Sequence, residues 1–235
     1  MSEPVVVLTG GTGQLGTAVS RRLLDAGNRL AVTYFIPEEA EAFEQLPEVD
    51  EDRVLMKRVD STDPAQLQAF MAEVVERFGT INALGCLTGG WAGGSDIADT
   101  DDLRFERMLD INLRASFYAL RAAIPHLVAA DWARVVLIGS TAVLEAPIGQ
   151  AAFNTAKAGV VALGRSAASE LGPDGVSVNV VMPSVIDTPA TREALPFADY
   201  VDWPSPDDIA SLVCFLLRED AGAVNGSVIE ARGLT

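Results

Sequence analysis

Residues that form metal sites and disulfide frameworks are scarce in this sequence of 235 residues. It contains one histidine, His126, and two cysteines, Cys86 and Cys214. Two cysteines in separate apolar segments are too few for a disulfide framework and favour reduced, buried thiols. Because no Cys, Asp or Glu stands at ligand spacing from His126, we expect no metal site. These counts indicate a protein of the cytoplasm.

Basic residues and long apolar runs are also few. The chain has 17 Lys and Arg against 33 Asp and Glu, for a net charge of −16. Nucleic acids and anionic membrane surfaces attract basic surfaces, so neither is an expected partner. No apolar run approaches the roughly 18 residues of a membrane span, and the first residues resemble a strand rather than a leader segment. A small molecule is therefore the expected ligand.

What the sequence has in quantity is apolar residues, 49% of the total, enough for the core of one domain. Short apolar runs alternate with segments of helical spacing, and several runs are apolar at successive positions, as in parallel strands covered on both faces. The pattern predicts a single-domain α/β fold over residues 1–235, a Rossmann-type doubly wound parallel sheet of about seven strands with helices on both faces. The predicted strands are 5–8, 30–33, 54–59, 81–86, 135–138, 176–182 and 228–231.

Helix signals fall between these strands. Asp63-Pro64 and Ser205-Pro206 are typical helix starts, and helical spacing runs through 102–127 and 151–171. One long stretch, 183–204, has no regular pattern. Irregular segments of this length usually serve a binding site, so it is interpreted as a lid over a substrate.

A glycine-rich turn follows the first strand and begins the first helix. Here backbone N–H groups and a helix N-terminus can face a pyrophosphate. The turn predicts dinucleotide binding by Gly10, Thr12, Gly13, Gln14, Leu15 and Gly16. At the end of the second strand an acidic residue would favour NAD and a basic one NADP. This chain has Tyr34 and Phe35 there, so the preference stays open.

The segment Phe153-Asn154-Thr155-Ala156-Lys157 resembles the Tyr-x-x-x-Lys motif of the short-chain dehydrogenases/reductases, with phenylalanine in the tyrosine's place. Ser140 stands thirteen positions earlier, at the family spacing, and Asn112 matches the family's active-site asparagine. The resemblance implies an NAD(P)-dependent oxidoreductase. In it, Lys157 would bind the cofactor ribose, Ser140 the substrate carbonyl, and Asn112 a water leading to the lysine.

The same resemblance extends along most of the chain and implies further contacts. Asp60 would contact the adenine, and the last strand, near 224–229, would pack at an interface of a homo-tetramer or homo-dimer. The loops 90–94 and 187–203 are similar to those of dihydropteridine reductases and suggest Trp91 and Tyr200 as substrate contacts. The remaining implied cofactor contacts are Tyr34, Ser61, Thr88, Gly89, Pro183, Val185, Ile186 and Thr188.

Phe153 lacks the hydroxyl that passes a proton in this family. Four explanations are open at this point. The phenylalanine is an engineered substitution that traps substrate, or the natural substrate is activated, quinonoid or iminium-like, and needs no tyrosyl proton. Alternatively Ser140, a water or Tyr200 replaces the donor. Last, the protein is a non-catalytic NAD(P)-binding, sensing or scaffold protein on the same fold.

Overall fold

The structure, a computed structural model, describes residues 3–233. Its centre is a parallel sheet of seven strands in the order β3-β2-β1-β4-β5-β6-β7. The two ends of each predicted strand move by at most two residues, and the fold class predicted from the sequence is confirmed. The strands are β1 (Val5–Thr9), β2 (Arg29–Tyr34), β3 (Val54–Arg58), β4 (Ala83–Cys86), β5 (Ala133–Ile138), β6 (Val176–Pro183) and β7 (Val228–Ala231).

Nine α-helices lie in the described part of the chain. Two begin at the predicted caps, where the side chains of Asp63 and Ser205 accept hydrogen bonds from backbone N–H groups of the first turn. The helices are α1 (Gln14–Asp25), α2 (Pro37–Glu44), α3 (Pro64–Phe78), α4 (Asp102–Met108), α5 (Ala115–Val128), α6 (Ala142–Glu145), α7 (Ala151–Leu171), α8 (Pro189–Ala194) and α9 (Pro206–Leu216).

Two apolar cores cover the two faces of the sheet. Along β1, Val5 and Val7 face a core formed with α3, α5 and α7. Val6 and Leu8 face the opposite core, formed with α1, α2 and α9. Successive strand residues point to opposite faces, so a strand between two helical layers must be apolar throughout. This requirement explains why the strands could be recognised as continuous apolar runs.

The sequence pattern was wrong at two places. The predicted continuous helix 102–127 is interrupted at Leu109–Arg114, which forms a π-helical segment between α4 and α5. The stretch 183–204, predicted to be irregular, contains the short helix α8. There the hydroxyl of Thr188 accepts a hydrogen bond from the Thr191 backbone N–H, and the Thr191 hydroxyl accepts one from Thr188 in return. A capping box with threonine at both positions stabilises this helix, whereas the usual signal has Glu or Gln at the second position.

Candidate functional site

A cleft of about 990 Å³ lies at the carboxyl ends of the parallel strands. Its walls come from the loops after β1, β3, β4, β5 and β6 and from the end of β2. Strand order reverses at β1, which pairs with β2 on one side and β4 on the other. In open α/β sheets ligands bind at such a reversal point. The cleft therefore occupies the place where this fold binds nucleotides.

Nearly every residue predicted from the sequence lines this one cleft. The exception is Tyr200. The residues brought together are Gly10, Thr12, Gly13, Gln14, Leu15, Gly16, Tyr34, Asp60, Ser61, Thr88, Gly89, Trp91, Asn112, Ser140, Phe153, Lys157, Pro183, Val185, Ile186 and Thr188. We call the part formed by residues 10, 12–16, 34–36, 39, 60–62 and 88–89 the cofactor half. The part formed by Trp91, Phe153, residues 141–150, Leu195 and Trp203 is the substrate half.

The glycine-rich loop has the shape of a phosphate cradle. Gly10 has a positive φ of 66°, and a Cβ on Gly16 would overlap the Gly10 carbonyl oxygen and stand 2.7 Å from the Gly11 carbonyl carbon. The loop is fixed to β2, because the Thr33 hydroxyl accepts a hydrogen bond from the Gly10 N–H at 3.1 Å. The Thr12 hydroxyl is buried at the cleft wall and makes no close hydrogen bond within the described residues, but it lies near enough to the Glu39 carboxylate to interact with it. A buried hydroxyl at this position can turn to donate a hydrogen bond to a phosphate oxygen.

The residues after β3 and β4 close the other side of the cofactor half. Asp60 accepts hydrogen bonds from the Thr62 backbone N–H and hydroxyl, at 2.9 and 2.7 Å. The hydroxyls of Ser61 and Thr88 lie 3.2 Å apart. Much of the hydrogen-bonding capacity of Asp60 is thus used to shape its own turn, which leaves a second carboxylate oxygen for a ligand.

Lys157 is buried at the floor of the cleft, where the two halves meet. Its Nζ donates a hydrogen bond to the Ile138 carbonyl oxygen at 2.8 Å. Burial lowers the pKa of this amine to about 8, because desolvation disfavours the charged form. A bound ligand that accepts hydrogen bonds would stabilise the ammonium form. An amine held in this way is suited to bind hydroxyl groups of a sugar.

Asn112 reaches the same point from the π-helical segment. Its Nδ2 donates to the carbonyl oxygens of Gly90 and Met108, at 2.9 and 3.1 Å. Its Oδ1 accepts from the Gly90 N–H at 3.2 Å. A Cβ on Gly89 would meet both Asn112 Oδ1, at 2.8 Å, and Lys157 Nζ, at 3.4 Å. The two polar groups therefore converge on one glycine, and π-helical turns are frequent at functional sites for this kind of local adjustment.

Phe153 lies one helical turn before Lys157 on α7, and its ring faces the cleft. The side chain is 8% exposed and packs with Met108, Ala142 and Ala152. Its ring centroid lies 5.8 Å from Lys157 Nζ. Ser140 also lines the cleft, and its hydroxyl accepts a hydrogen bond from the Ala142 N–H at 3.2 Å. The cleft thus has a cation and a hydroxyl, but the Phe153 ring that lines it carries no ionisable proton.

Tyr200 lies outside the cleft, on the outer side of the segment 183–204. Its hydroxyl donates to the Pro196 carbonyl oxygen at 3.2 Å, and the Arg192 guanidinium stands 4.9 Å from its ring centroid. Trp203 lines the cleft instead, with its ring centroid 5.3 Å from that of Tyr200. Tyr200 thus packs against Trp203, and Trp203 is the aromatic residue of this pair that lines the cleft.

The structure adds charged and polar cleft residues that the sequence analysis missed. Glu39 comes from α2, five positions after the end of β2, and the phase of that helix was the available signal. In the substrate half, Glu145 pairs with Arg232, and no motif predicted its position. The other charged or polar additions are Arg107, Gln150, Thr33, Thr62, Thr141, Ser184 and Thr191. Residues 3–233 contain no cluster of three or more His, Cys, Asp or Glu side chains able to hold a metal ion. Every helix in that range is too short or too polar to cross a bilayer.

Comparison with known proteins identifies the family of the chain. Residues 4–198 match the family described as short chain dehydrogenase. The chain is 30% identical to 2-(R)-hydroxypropyl-CoM dehydrogenase of Xanthobacter autotrophicus, over 97% of each chain. A short-chain dehydrogenase/reductase of Brucella melitensis superposes with a TM-score of 0.91 at 27% identity, covering 99% of this chain and 96% of that one. ElxO, solved with NADP bound, shares the fold at a TM-score of 0.89 and 21% identity, covering 97% and 96%.

Proposed function

The chain belongs to the short-chain dehydrogenase family, whose members are NAD(P)-dependent oxidoreductases, and we propose that it transfers hydride to a small substrate that is already activated. Its cofactor is NAD or NADP. The substrate class we favour is a quinonoid or iminium-like compound, whose reduction does not depend on a proton from tyrosine. Ordinary carbonyl compounds are the slower alternative.

One observation supports this proposal above the others. Lys157 and Asn112 converge on Gly89 in a cleft that Ser140 and Phe153 also line, and the other half of that cleft has the shape of a phosphate cradle. If the protein had lost all redox function, its cradle and its catalytic floor would not both be expected to persist. The arrangement is that of a reductase pocket lacking one hydroxyl.

Each residue has a role in this proposal. A bound nicotinamide would supply the hydride. Lys157 would hold the ribose beside it, and the loop from Pro183 to Thr188 would cover the nicotinamide face. The Ser140 hydroxyl would orient the substrate by donating a hydrogen bond to one of its oxygen atoms or to a nitrogen that has a lone pair. Asn112 would keep Gly89 and Gly90 in place around the lysine. Because Phe153 donates no proton, acceptors that need protonation in the slow step should react poorly.

Restoring the hydroxyl tests this function. We expect Phe153→Tyr to raise kcat for ketone reduction by about 10²–10⁴, the usual contribution of a positioned general acid, as measured by NAD(P)H consumption over a substrate panel. The same change should affect activated substrates little. Phe215→Tyr is the matched control, because Phe215 is an exposed side chain of α9 that does not line the cleft.

The absence of the hydroxyl also favours a second candidate, a non-catalytic NAD(P)-binding, sensing or scaffold protein. That candidate predicts tight cofactor binding with no turnover in either the wild type or Phe153→Tyr. A protein that binds neither NADH nor NADPH in calorimetric titration would contradict both candidates. The titration is therefore the first experiment, and the substrate panel is the second.

We further propose that the segment 183–204 acts as the substrate lid and that the protein is a homo-oligomer of the cytoplasm. The lid assignment rests on Ile186, Leu195 and Trp203, which line the cleft from that segment. Two features support an oligomer: β7 ends the sheet, and Leu103 and Phe117 are exposed apolar side chains on α4 and α5. Light scattering measures the assembly, and a monomer at micromolar concentration would contradict it.

A further inference from the structure

We propose that Glu39 makes this protein select NAD over NADP, because its carboxylate stands in the cofactor half beside the entrance for the adenosine ribose. The inference rests on the proposed nicotinamide-binding function and names the residue that decides between the two cofactors. The carboxylate would accept hydrogen bonds from the ribose hydroxyls of NAD. It would repel the additional 2′-phosphate of NADP.

Position carries the first step. Glu39 lines the cleft together with Gly13 and Tyr34. Its Oε2 lies 3.9 Å from the place that a Cβ on Gly13 would take, so it stands beside the glycine-rich loop. Helix α2 begins at Pro37, and its first turn brings Glu39 back toward the loop after β1. The end of β2 itself, where this fold more often has the deciding residue, has no charged side chain.

The local environment carries the second step. The carboxylate is half-buried, and burial raises the pKa of Glu39, while the nearby Thr12 hydroxyl offsets part of that rise. No salt bridge to Glu39 occurs among residues 3–233. A partly desolvated anion without a cationic partner repels a second anion more strongly than an exposed one does. It also gains from the hydroxyl donors of a ribose.

Arg58 is the nearest cation that could serve NADP instead. It ends β3 next to Tyr34, and its guanidinium stands 5.5 Å from the ring centroid of Phe35. Phe35 lines the cleft, although its side chain is 59% exposed, so Arg58 stands behind a residue of the cleft wall. Arg58 does not line the cleft, whereas Glu39 does. Of these two charged side chains, the one that lines the cleft is therefore the negative one.

Direct binding of NADH and NADPH to the whole protein, by calorimetry or by quenching of protein fluorescence, tests the proposal without requiring turnover. We expect the wild type to bind NADH at least about tenfold more tightly than NADPH. Glu39→Gln should reduce that ratio about tenfold, and Glu39→Lys should reverse it. Glu38→Gln is the matched control, because Glu38 is an exposed neighbour on the same helix that does not line the cleft.

The outcomes separate the two levels of the hypothesis. Equal or tighter binding of NADPH by the wild type would overturn the selectivity, while leaving the proposed function intact. So would a binding ratio that Glu39→Gln does not change. If Arg58→Gln, rather than Glu39→Gln, changes the ratio, the deciding residue is at the end of β3. Binding of neither nucleotide would contradict the proposed function itself.

Discussion

The two halves of the cleft are built from different parts of the fold. The cofactor half follows buried strand ends, and its backbone positions are fixed by contacts such as those around Gly10 and Gly16. The substrate half is formed by two surface segments, 141–150 and 183–204. There Ile148 is 91% exposed and Val201 is 86% exposed. Ala146, with φ of 47°, is the only non-glycine of residues 3–233 in the left-handed region.

This difference between the two halves explains why the cofactor is easier to recognise than the substrate. In the cofactor half, backbone atoms pass so close to one another that only glycine fits at certain positions. The spacing of these glycines in the sequence therefore indicates a dinucleotide ligand. The lining of the substrate half comes largely from surface segments, whose side chains can usually be exchanged more freely than core residues without harming the fold. The class of cofactor can thus be argued from the structure. For the substrate, only its small size and its activated character are proposed.

The largest effect is expected at the crowded glycine of the cradle. A Cβ on Gly16 would overlap backbone atoms that cannot move aside, so we expect Gly16→Ala to lower the free energy of unfolding by about 1–3 kcal/mol. Loss of about two hydrogen bonds to phosphate corresponds to roughly 100-fold weaker cofactor binding. Thermal unfolding and calorimetric titration measure the two quantities.

Gly13→Ala is the internal control for that substitution. A Cβ there would meet the Gly10 carbonyl oxygen at 3.6 Å, an ordinary contact, and the φ of Gly13 is −67°. We expect Gly13→Ala to change the free energy of unfolding by less than about 0.5 kcal/mol. If Gly13→Ala and Gly16→Ala lowered the free energy of unfolding equally, the loop would be sensitive to any substitution. Backbone crowding at Gly16 would then not be the cause.

The next effect concerns the buried amine where the two halves meet. Burial lowers the pKa of Lys157 from 10.5 to about 8, which costs about 3 kcal/mol of stability at pH 7. Lys157→Met removes this cost and also a hydrogen bond to Ile138 of about 1 kcal/mol. We therefore expect the protein without cofactor to become more stable by about 2 kcal/mol at pH 7, while NAD(P)H binding is lost.

The pH dependence identifies the cause of that stabilisation. The unfolded chain binds more protons than the folded one between pH 8 and 10.5, so wild-type stability rises through this range. Above it, the amine is neutral in both states and the burial cost is absent. The advantage of Lys157→Met should accordingly shrink as pH rises from 8 to 10.5, in denaturant titrations at several pH values. An advantage that stays constant with pH would exclude desolvation of the amine as its source.

The sequence predicted the sheet and nearly all residues of the cofactor half, because both are encoded locally. A strand covered on both faces must be apolar at each position, and a phosphate cradle must have glycines at fixed spacing. Glu39 was missed because its position beside the glycine-rich loop depends on the conformation of the turn between β2 and α2. Tyr200 was chosen over Trp203 because the capped helix α8 could not be recognised, and with it the direction in which each aromatic ring points.

The smallest effects are expected for substitutions of Tyr200 and Trp203 in the segment 183–204. The Tyr200 hydroxyl contacts the Pro196 carbonyl oxygen outside the cleft, so Tyr200→Phe loses one exposed hydrogen bond of about 0.5–1.5 kcal/mol. We expect kcat and KM in the activity assay to change by less than about twofold, since the hydroxyl reaches no substrate. Trp203→Ala removes a ring that faces the cleft and should raise KM about tenfold with little change in kcat. A pronounced fall in kcat for Tyr200→Phe would instead make this hydroxyl the missing proton donor, delivered by a movement of the lid. In that case the substrate half would supply the chemistry that Phe153 lacks, and the division between the two halves would no longer hold.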